Sequence, residues 1–278
     1  MTLLSRLKRW KWSLPLFLTG GLYFPTLKWL VLTWKGNPYY SHGFLIPCIS
    51  AILSWRAWRQ SEISPPENAS AGLLFLGLGI LGHLWAFWRE LYIFSALSLL
   101  LTLGGLVLLR GGKELCKRQS FPLVFLLFAI PFPWLEKSTP SLARHIAAWA
   151  GKMAYPFVQE LQVQGTQIKL GSVILHIGAP CSGVNSLVSL VALAVLYSHL
   201  VEGTPWAKGI LVLAAIPLAL TANLLRLWGL ILLANYAGVS STLKLFHTWA
   251  SPLLFLIALG LLVLGGRILG CNGIRSTV

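Results

Sequence analysis

Long apolar stretches constrain the fold of this chain more than any other feature. Eight of them are predicted to be membrane-spanning helices, because the hydrocarbon core of a bilayer takes about 20 residues of helix. They lie near 12–33, 42–58, 71–88, 91–109, 120–135, 183–201, 207–233 and 248–267. With 56% hydrophobic and 10% charged residues, the composition excludes an ordinary soluble domain. The sequence therefore predicts an all-α polytopic membrane protein that forms one integral membrane domain over residues 1–278.

The charge balance predicts the orientation of the chain. The 22 Lys and Arg residues outnumber the seven acids and give a net charge of +15. In a membrane protein this excess favours contact with anionic lipid rather than with nucleic acid. If the N-terminus is cytoplasmic, the densest basic clusters, near 6–11, 56–59 and 110–118, all face the cytoplasm. An even number of spans returns the C-terminus to that side, and the protein is predicted to lie in the cytoplasmic (inner) membrane.

The acidic residues exclude several kinds of chemistry. All seven acids are Glu, and the chain contains no Asp. A Ser-His-Asp triad, an intramembrane aspartyl protease pair and an aspartyl phosphate are therefore unavailable. The sequence also has no His-Glu-x-x-His zinc motif and no phosphate-binding Gly-x-x-x-x-Gly-Lys loop. We expect no metal and no cofactor, which leaves Cys, His, Arg, Ser and Glu for chemistry.

The longest predicted extracytoplasmic region, 136–180, has structure of its own. Thr139-Pro140 predicts the start of a helix, an N-cap followed by Pro at the first helical position. Apolar residues then recur at helical spacing: Leu142, Ile146, Trp149, Ala150, Met153 and Phe157. Polar residues occupy the opposite face: Ser141, Arg144, His145 and Lys152. This pattern is typical of an amphipathic helix at the membrane surface.

A β-hairpin is predicted after that helix. Residues 167–170 and 173–177 alternate between apolar and polar side chains on either side of Gly171-Ser172. Such alternation around a two-residue turn is typical of a hairpin. Its second strand leads directly to Pro180-Cys181, so we expect a short extracytoplasmic hairpin in front of this cysteine.

Three polar residues in or next to apolar spans are the candidates for function. Cys181 precedes the sixth predicted span, Arg226 lies inside the seventh, and His247 begins the eighth. Ionisable groups within a membrane are unfavourable and usually mark function. The predicted topology brings all three close to the outer leaflet, which is where we expect a catalytic site.

The three side chains have complementary chemistry. A thiol must lose its proton to attack a carbonyl carbon, and a helix N-terminus and a nearby cation both favour the thiolate. Ser182 and Gly183 begin a predicted helix directly after Cys181. His247 can accept the thiol proton and later donate it to the leaving amine. Arg226 can stabilise the developing oxyanion or hold a substrate carboxylate. Asn185 and Asn223 are predicted supporting residues.

Other interpretations of these residues stay open. A cysteine in a span often only packs, an intramembrane arginine can pair with a lipid phosphate, and a histidine at a span end is often interfacial. A polytopic transporter whose path is lined by Arg226 is one alternative. An assembly factor for the export of envelope polysaccharide is the other.

An ordered series of motifs resembles a known family. The segments "YYSHGFLIP" (39–47), "PFPW" (131–134), the hairpin leading into "CSGVNSL" (181–187), "NLLR" (223–226) and the later His247 occur together in this order. The chain resembles the exosortase/archaeosortase family of polytopic membrane cysteine transpeptidase-proteases over roughly residues 38–250.

The resemblance implies an active site of Cys181, Arg226 and His247 on the extracytoplasmic side. It implies that the partners are secreted proteins ending in a short motif (Pro-Glu-Pro in many bacteria), a hydrophobic span and a basic tail. Cleavage near the motif would pass through a thioacyl enzyme, with transfer to an acceptor or to water. Ser41 and His42 belong to the first shared segment, where we expect a structural or substrate-positioning role.

Overall fold

A computed structural model describes residues 14–61, 69–171, 173–177, 183–237 and 249–275, and these are mostly helical. The helices are α1 (Leu14–Leu22), α2 (Phe24–Gly36), α3 (Leu45–Arg59), α4 (Ala69–Trp88), α5 (Tyr92–Phe125), α6 (Pro133–Ala154), α7 (Val184–Leu200), α8 (Pro205–Ala237) and α9 (Ser251–Ile268). Short 3-10 helices cover Pro38–Phe44 and Leu126–Ala129. A three-stranded sheet consists of β1 (Leu161–Gln164), β2 (Gln167–Leu170) and β3 (Val173–His176).

The described residues fall into two compact units. The first contains residues up to Pro131 and therefore α1 to α5, and the second begins at Phe132 and contains α6 to α9 with the sheet. The grouping of the whole chain into one integral membrane domain stays a prediction.

The number of membrane spans differs from the eight predicted. Among the described residues, four helices are long and apolar enough to cross a bilayer, namely Ala69–Trp88, Tyr92–Ala129, Pro205–Tyr236 and Ser251–Ile268. The pair α1 and α2, bent by 64°, makes a fifth if it is one span. Eight spans are not confirmed.

Helix length explains most of the difference. The predicted spans 91–109 and 120–135 join into α5 and the 3-10 turn after it, although Gly111 and Gly112 have non-helical backbone angles. Helix α3 has 15 residues and α7 has 17. At 1.5 Å per residue these two helices are about 22 and 26 Å long, shorter than a hydrocarbon core of about 30 Å.

A buried tyrosine ties the bend between α1 and α2 to the next two helices. The hydroxyl oxygen of Tyr23 lies 3.0 Å from the carbonyl oxygen of Gly79 on α4. It also lies 3.1 Å from Ser98 Oγ and 2.8 Å from Thr102 Oγ1, both on α5. Hydrogen bonds between helices contribute about 0.6 kcal/mol each on average within membranes. This network fixes the position of the bend against α4 and α5.

Small residues bring α4 and α5 into close contact. A Cβ atom added at Gly105 of α5 would lie 2.5 Å from the backbone nitrogen of Leu76 on α4. One added at Gly79 of α4 would lie 2.7 Å from the backbone nitrogen of Thr102. Close backbone approach through small residues is a main source of helix association in membranes, because dispersion contacts replace the hydrophobic effect there.

The neighbouring glycines of α5 provide a matched test of this contact. We expect Gly105→Ala to destabilise the protein by about 1–3 kcal/mol, since the methyl group must displace backbone atoms. Gly104→Ala has open space, with nothing within 4 Å of its added Cβ, and is expected to be neutral or slightly stabilising. Thermal unfolding in detergent measures both variants, and equal melting temperatures would contradict the close contact.

In the second unit, α7, α8 and α9 share one apolar core. Its buried members are Leu190, Ala194, Leu211, Ala215, Ala219, Ala258 and Leu262. At one end of these helices, Val201 forms a β-bridge with Ile274, and the buried Cys271 packs against Val201 and Ala207. The end of α7, the start of α8 and the segment after α9 are therefore in contact with one another.

A second core lies between α6, the sheet and the C-terminal half of α8. One face of the sheet is buried there through Leu161, Ile168, Leu170, Leu175 and Ile177. The residues of α8 in this core are Leu227, Leu230, Ile231 and Ala234. Alternation of side chains along the strands leaves polar residues such as Gln162 and Lys169 exposed on the other face.

The structure corrects the predicted start of the amphipathic helix. Helix α6 begins at Pro133, so the predicted start at Thr139-Pro140 is wrong. The hydroxyl group of Thr139 donates a hydrogen bond to the carbonyl of Leu135 within the helix instead of capping it. The buried face is a row of small residues, Ala143, Ala147, Ala150 and Ala154 with Ile146, which lets the sheet and α8 approach closely. Trp149 and Phe157, predicted on the apolar face, are 60% and 56% exposed.

The predicted hairpin region forms part of the three-stranded antiparallel sheet, in the order β1-β2-β3. Strands β2 and β3 pair with Leu170 opposite Val173, and β1 adds a strand that the sequence did not predict. The extracytoplasmic location of the sheet stays a prediction.

Candidate active site

Helix α7 begins at a glycine in a left-handed conformation. Gly183 is the N-cap residue, with φ +82° and ψ −4°. Its carbonyl accepts the first helical hydrogen bond from the amide of Leu187, at 2.9 Å. An L-residue with a side chain is strained at such a φ, whereas glycine is not. The chain therefore turns sharply into α7 two residues after Cys181.

The amide side chain of Asn223 packs directly against this turn. A Cβ atom added at Gly183 would lie 2.6 Å from both Cγ and Nδ2 of Asn223. Asn223 is buried on α8, with only 4% of its surface exposed. The N-terminus of α7 and this part of α8 are thus in contact through two of the residues predicted to support the site.

Arg226 follows Asn223 by about one helical turn. It lies 21 residues after Pro205, which is about 32 Å along α8 and close to the roughly 30 Å thickness of a hydrocarbon core. Over the two turns before it, α8 passes from the three-helix core, which ends on this helix at Ala219 and Ala222, to the core under the sheet, which Leu220 and Leu224 join before the buried Leu227. If Pro205 marks one boundary of the bilayer, the half-buried Arg226 is at the opposite boundary rather than at mid-membrane.

A hydrogen bond connects Arg226 to the first residue of α9. The guanidinium Nη1 donates to Oγ of Ser251 at 3.2 Å. Sequence reasoning did not identify Ser251 as a functional residue. Its position could have indicated a role in the site. Ser251 is a polar residue at the start of an apolar helix, directly before Pro252 and four residues after His247.

Three chain segments therefore meet at one end of the α7–α8–α9 core: the turn at Gly183, the Asn223–Arg226 turn of α8, and the start of α9 at Ser251. We call this meeting point the junction. Cys181 precedes Gly183 by two residues, and His247 precedes Ser251 by four. Cys181, Ser182 and His247 themselves lie outside the described residues.

Asn185 is the second residue of α7. Its side-chain carbonyl oxygen is 3.5 Å from the hydroxyl oxygen of Ser189, one further turn along, and both residues are partly buried. Polar side chains at the start of α7 thus share one face of the helix from Asn185 to Ser189. The catalytic and supporting roles of all these residues stay predictions.

Comparison with protein families identifies the chain. A family model described as transmembrane exosortase matches residues 34–264, which is most of the sequence. The chain belongs to the transmembrane exosortase family. Searches of curated proteins and of solved structures each found no match. The matched range includes most of both units and every residue of the predicted site.

In this exosortase, Ser41 and His42 lie in the first unit, on the 3-10 helix Pro38–Phe44. The Nε2 atom of His42 is 3.2 Å from the carbonyl oxygen of Phe128, and Trp34 Nε1 donates to the next carbonyl, Ala129, at 2.8 Å. Both contacts are with the turn that ends α5, where helical carbonyls lack intrahelical partners. Ser41 Oγ is 3.3 Å from the carbonyl oxygen of Pro38. These contacts favour the structural role for His42.

The described part of this exosortase offers no cluster of three or more His, Cys, Asp or Glu side chains for a metal ion.

The turn at Gly183 gives a testable prediction about stability. Gly183→Ala should destabilise the second unit by about 2 kcal/mol, because the new methyl group meets Asn223 and φ is positive. Gly209→Ala on α8 is the matched control, since nothing lies within 4 Å of its added Cβ. Thermal unfolding in detergent, monitored by circular dichroism, compares the two. A Gly183→Ala variant as stable as the control would show that the described contact is not made.

Proposed function

We propose that this exosortase-family protein is a cysteine-type endopeptidase and transpeptidase with Cys181 as nucleophile, His247 as general base and acid, and Arg226 as the cation of the site. Its substrates are secreted proteins whose C-terminal sorting signal consists of a short motif, a hydrophobic span and a basic tail. The active site faces the extracytoplasmic side of the inner membrane, both termini are cytoplasmic, and the eight-span topology belongs to the same proposal.

The junction is the observation that carries this proposal. Asn223 touches Gly183, and Arg226 binds Ser251, within one turn of α8. An extended residue spans at most about 3.6 Å, so covalent connection keeps the Cα atom of Cys181 within about 7 Å of that of Gly183. The same limit keeps the Cα atom of His247 within about 14 Å of that of Ser251. These limits support a common site for the three side chains.

The reaction begins with transfer of the thiol proton from Cys181 to His247. The thiolate attacks the carbonyl carbon of the scissile peptide bond, so that a sulfur–carbon bond forms and the carbonyl oxygen becomes an oxyanion. Arg226 stabilises that charge through its guanidinium N–H groups. The carbon–nitrogen bond then breaks as the histidine gives its proton to the leaving amine, and a thioester remains.

The thioester is resolved by a second nucleophile. An acceptor amine or hydroxyl, or water, gives a proton to His247 and attacks the thioester carbonyl. The sulfur–carbon bond breaks, and the proton returns to the sulfur of Cys181. Hydrolysis and transfer thus share one mechanism and differ only in the nucleophile that reaches the site.

Exposed aromatic residues support a position at the membrane boundary. Trp134, Trp149 and Phe157 are 63%, 60% and 56% exposed on α6 and the residues just after it. Aromatic side chains are enriched at the interface between headgroups and hydrocarbon. The length of α8 from Pro205 to Arg226, about 32 Å, supports a similar boundary position for Arg226. The transporter and polysaccharide-assembly alternatives are not favoured by the family match.

A thioester trap tests the proposal. The protein is co-expressed with a tagged secreted protein that carries the sorting signal, and membranes are denatured in acid to preserve thioesters. We expect a covalent enzyme–substrate adduct that hydroxylamine releases, with Cys181 identified as the attachment point by mass spectrometry. Cleavage of the substrate without any hydroxylamine-sensitive adduct, or with attachment at another residue, would contradict the assignment.

A further inference from the structure

A groove in the second unit lies outside the predicted catalytic residues. Its volume is about 810 Å³, and it is lined by the exposed side of α6 and by strand β1, which touch at Gly151 and Val163. Arg144, Ala148 and Lys152 line it from the helix, and Leu161 and Val163 line it from the strand. The cavity is large enough to take a peptide segment of several residues.

The strand side of the groove is a sheet edge without a partner strand in the part of the chain that the structure describes. Among the described residues, strand β1 pairs only with β2, and Gln162 and Gln164 lie opposite Lys169 and Gln167. One hydrogen bond shows which residues of β2 direct their backbone groups toward β3: the amide of Ile177 donates to the carbonyl of Thr166 at 2.8 Å. Since hydrogen-bonded pairs alternate in antiparallel strands, residues 166, 168 and 170 bond to β3 and residues 167 and 169 bond to β1.

It follows that Gln162 and Gln164 direct their backbone groups toward β2. The N–H and C=O groups of Leu161 and Val163 therefore point away from the sheet, on the side of β1 that has no partner strand among the described residues. These are also the two strand residues that line the groove together with Gly165. Such an edge is a template for an added strand.

The helix side of the groove is positively charged. Arg144 and Lys152, two turns apart on α6, are both exposed and both line it, as does His145. None of the described residues that line the groove is acidic. An extended segment bound there would place alternate side chains toward α6, so acidic residues at every second position fit these cations.

We propose that this groove binds an extended acidic peptide segment as a fourth strand on the outer edge of β1. The segment belongs to the secreted substrate, a part of the inference that rests on the proposed function, while the groove and its peptide chemistry do not. A lipid headgroup is the competing occupant. It would use the two cations, but it has no series of backbone donors and acceptors to match the edge of β1.

Binding is measured with a defined probe on a protein that does not process it. The probe is a fluorescein-labelled seven-residue peptide of alternating Thr and Glu, and the protein is the full chain carrying Cys181→Ala in neutral detergent. Fluorescence anisotropy gives the dissociation constant. We expect saturable binding that Arg144→Ala and Lys152→Ala each weaken about threefold to tenfold. Ala148→Phe, which fills the groove without changing charge, should abolish it.

Lys137→Ala is the matched control for the loss of charge. This exposed lysine lies on the same helix but does not line the groove, so its removal should leave the dissociation constant unchanged within about twofold. Circular dichroism of all variants separates loss of binding from loss of fold. Equal weakening by Lys137→Ala and the two groove variants would reduce the effect to general attraction and overturn the proposal.

N-methylated probes test the strand pairing itself. One probe carries N-methyl groups on its Glu residues and the other on its Thr residues, so each blocks the donors of one edge of the strand. Pairing with β1 predicts that one of the two loses binding at least tenfold and the other changes by less than about threefold. Equal binding of both probes, with displacement by vesicles of anionic lipid, would identify a headgroup site and overturn the proposal. Absence of probe binding to the folded protein would also overturn it.

The two proposals fail separately in these experiments. The probe assay uses a variant without the nucleophile, so peptide binding without any thioester adduct in the active protein would leave the groove standing and remove the catalytic assignment. A thioester adduct at Cys181 without probe binding would support the catalytic assignment and remove the peptide-binding groove.

Discussion

Cys181→Ala is expected to lower cleavage of a secreted protein with the sorting signal by about 10⁴-fold or more, because the proposed mechanism forms its thioacyl bond on the sulfur of Cys181. The measurement is conversion of a tagged substrate in cells, followed over time by its change in size. Cys181→Ser nearly keeps the size of the side chain. It should still lower the rate of cleavage by about 10³-fold or more, since a serine hydroxyl is a poorer nucleophile than a thiolate unless a stronger base activates it.

A matched cysteine variant separates loss of chemistry from loss of protein. Cys48 is an exposed free cysteine on α3, in the first unit. We expect Cys48→Ala to process the substrate at the wild-type rate, and both alanine variants to accumulate in the membrane at equal levels. Normal processing by a stable Cys181→Ala protein would remove Cys181 from the mechanism.

The sequence predicted the helical class well, because long apolar runs have few folded alternatives. It did not predict how those runs divide into helices. The stretches 91–109 and 120–135 read as two spans, yet a helix continues through most of the intervening polar residues, with its break at Gly111 and Gly112. Propensity and hydropathy report on local segments, whereas helix continuity depends on the neighbours that the chain packs against.

The candidate site was partly readable for a different reason. Arg226 and Asn223 stand out because a polar side chain in an apolar helix is unfavourable unless it has partners. Their partners are less visible in sequence. Gly183 is one of 26 glycines, and Ser251 looks like an ordinary helix start, so only the packing of α8 against α7 and α9 reveals those contacts. Strand β1 alternates apolar and polar side chains as regularly as β2 and has the same four-residue length, so its signal was present in the sequence and was overlooked.

Arg226→Ala is expected to lower turnover by about 10²–10³-fold, the loss found when one donor to an oxyanion is removed. The two roles open to this arginine give different kinetics. If the guanidinium stabilises the oxyanion, kcat falls while KM changes little, because the interaction exists only in the transition state. If it holds a substrate carboxylate, KM rises instead. Steady-state cleavage of a sorting-signal peptide by the purified protein distinguishes the two, and an Arg226→Ala protein with wild-type kcat and KM would exclude both.

Two further variants test how the guanidinium is positioned. Arg226→Lys keeps the charge but loses the planar set of donors, so we expect activity between those of the wild type and the alanine variant. Ser251→Ala removes the hydroxyl that Nη1 contacts at 3.2 Å, and a hydrogen bond worth about 1 kcal/mol corresponds to a loss of about fivefold in kcat/KM. Because Ser251 acts through the arginine, its removal should have little further effect in the Arg226→Ala background. A full additional fivefold loss in the double variant would show that Ser251 acts independently of Arg226.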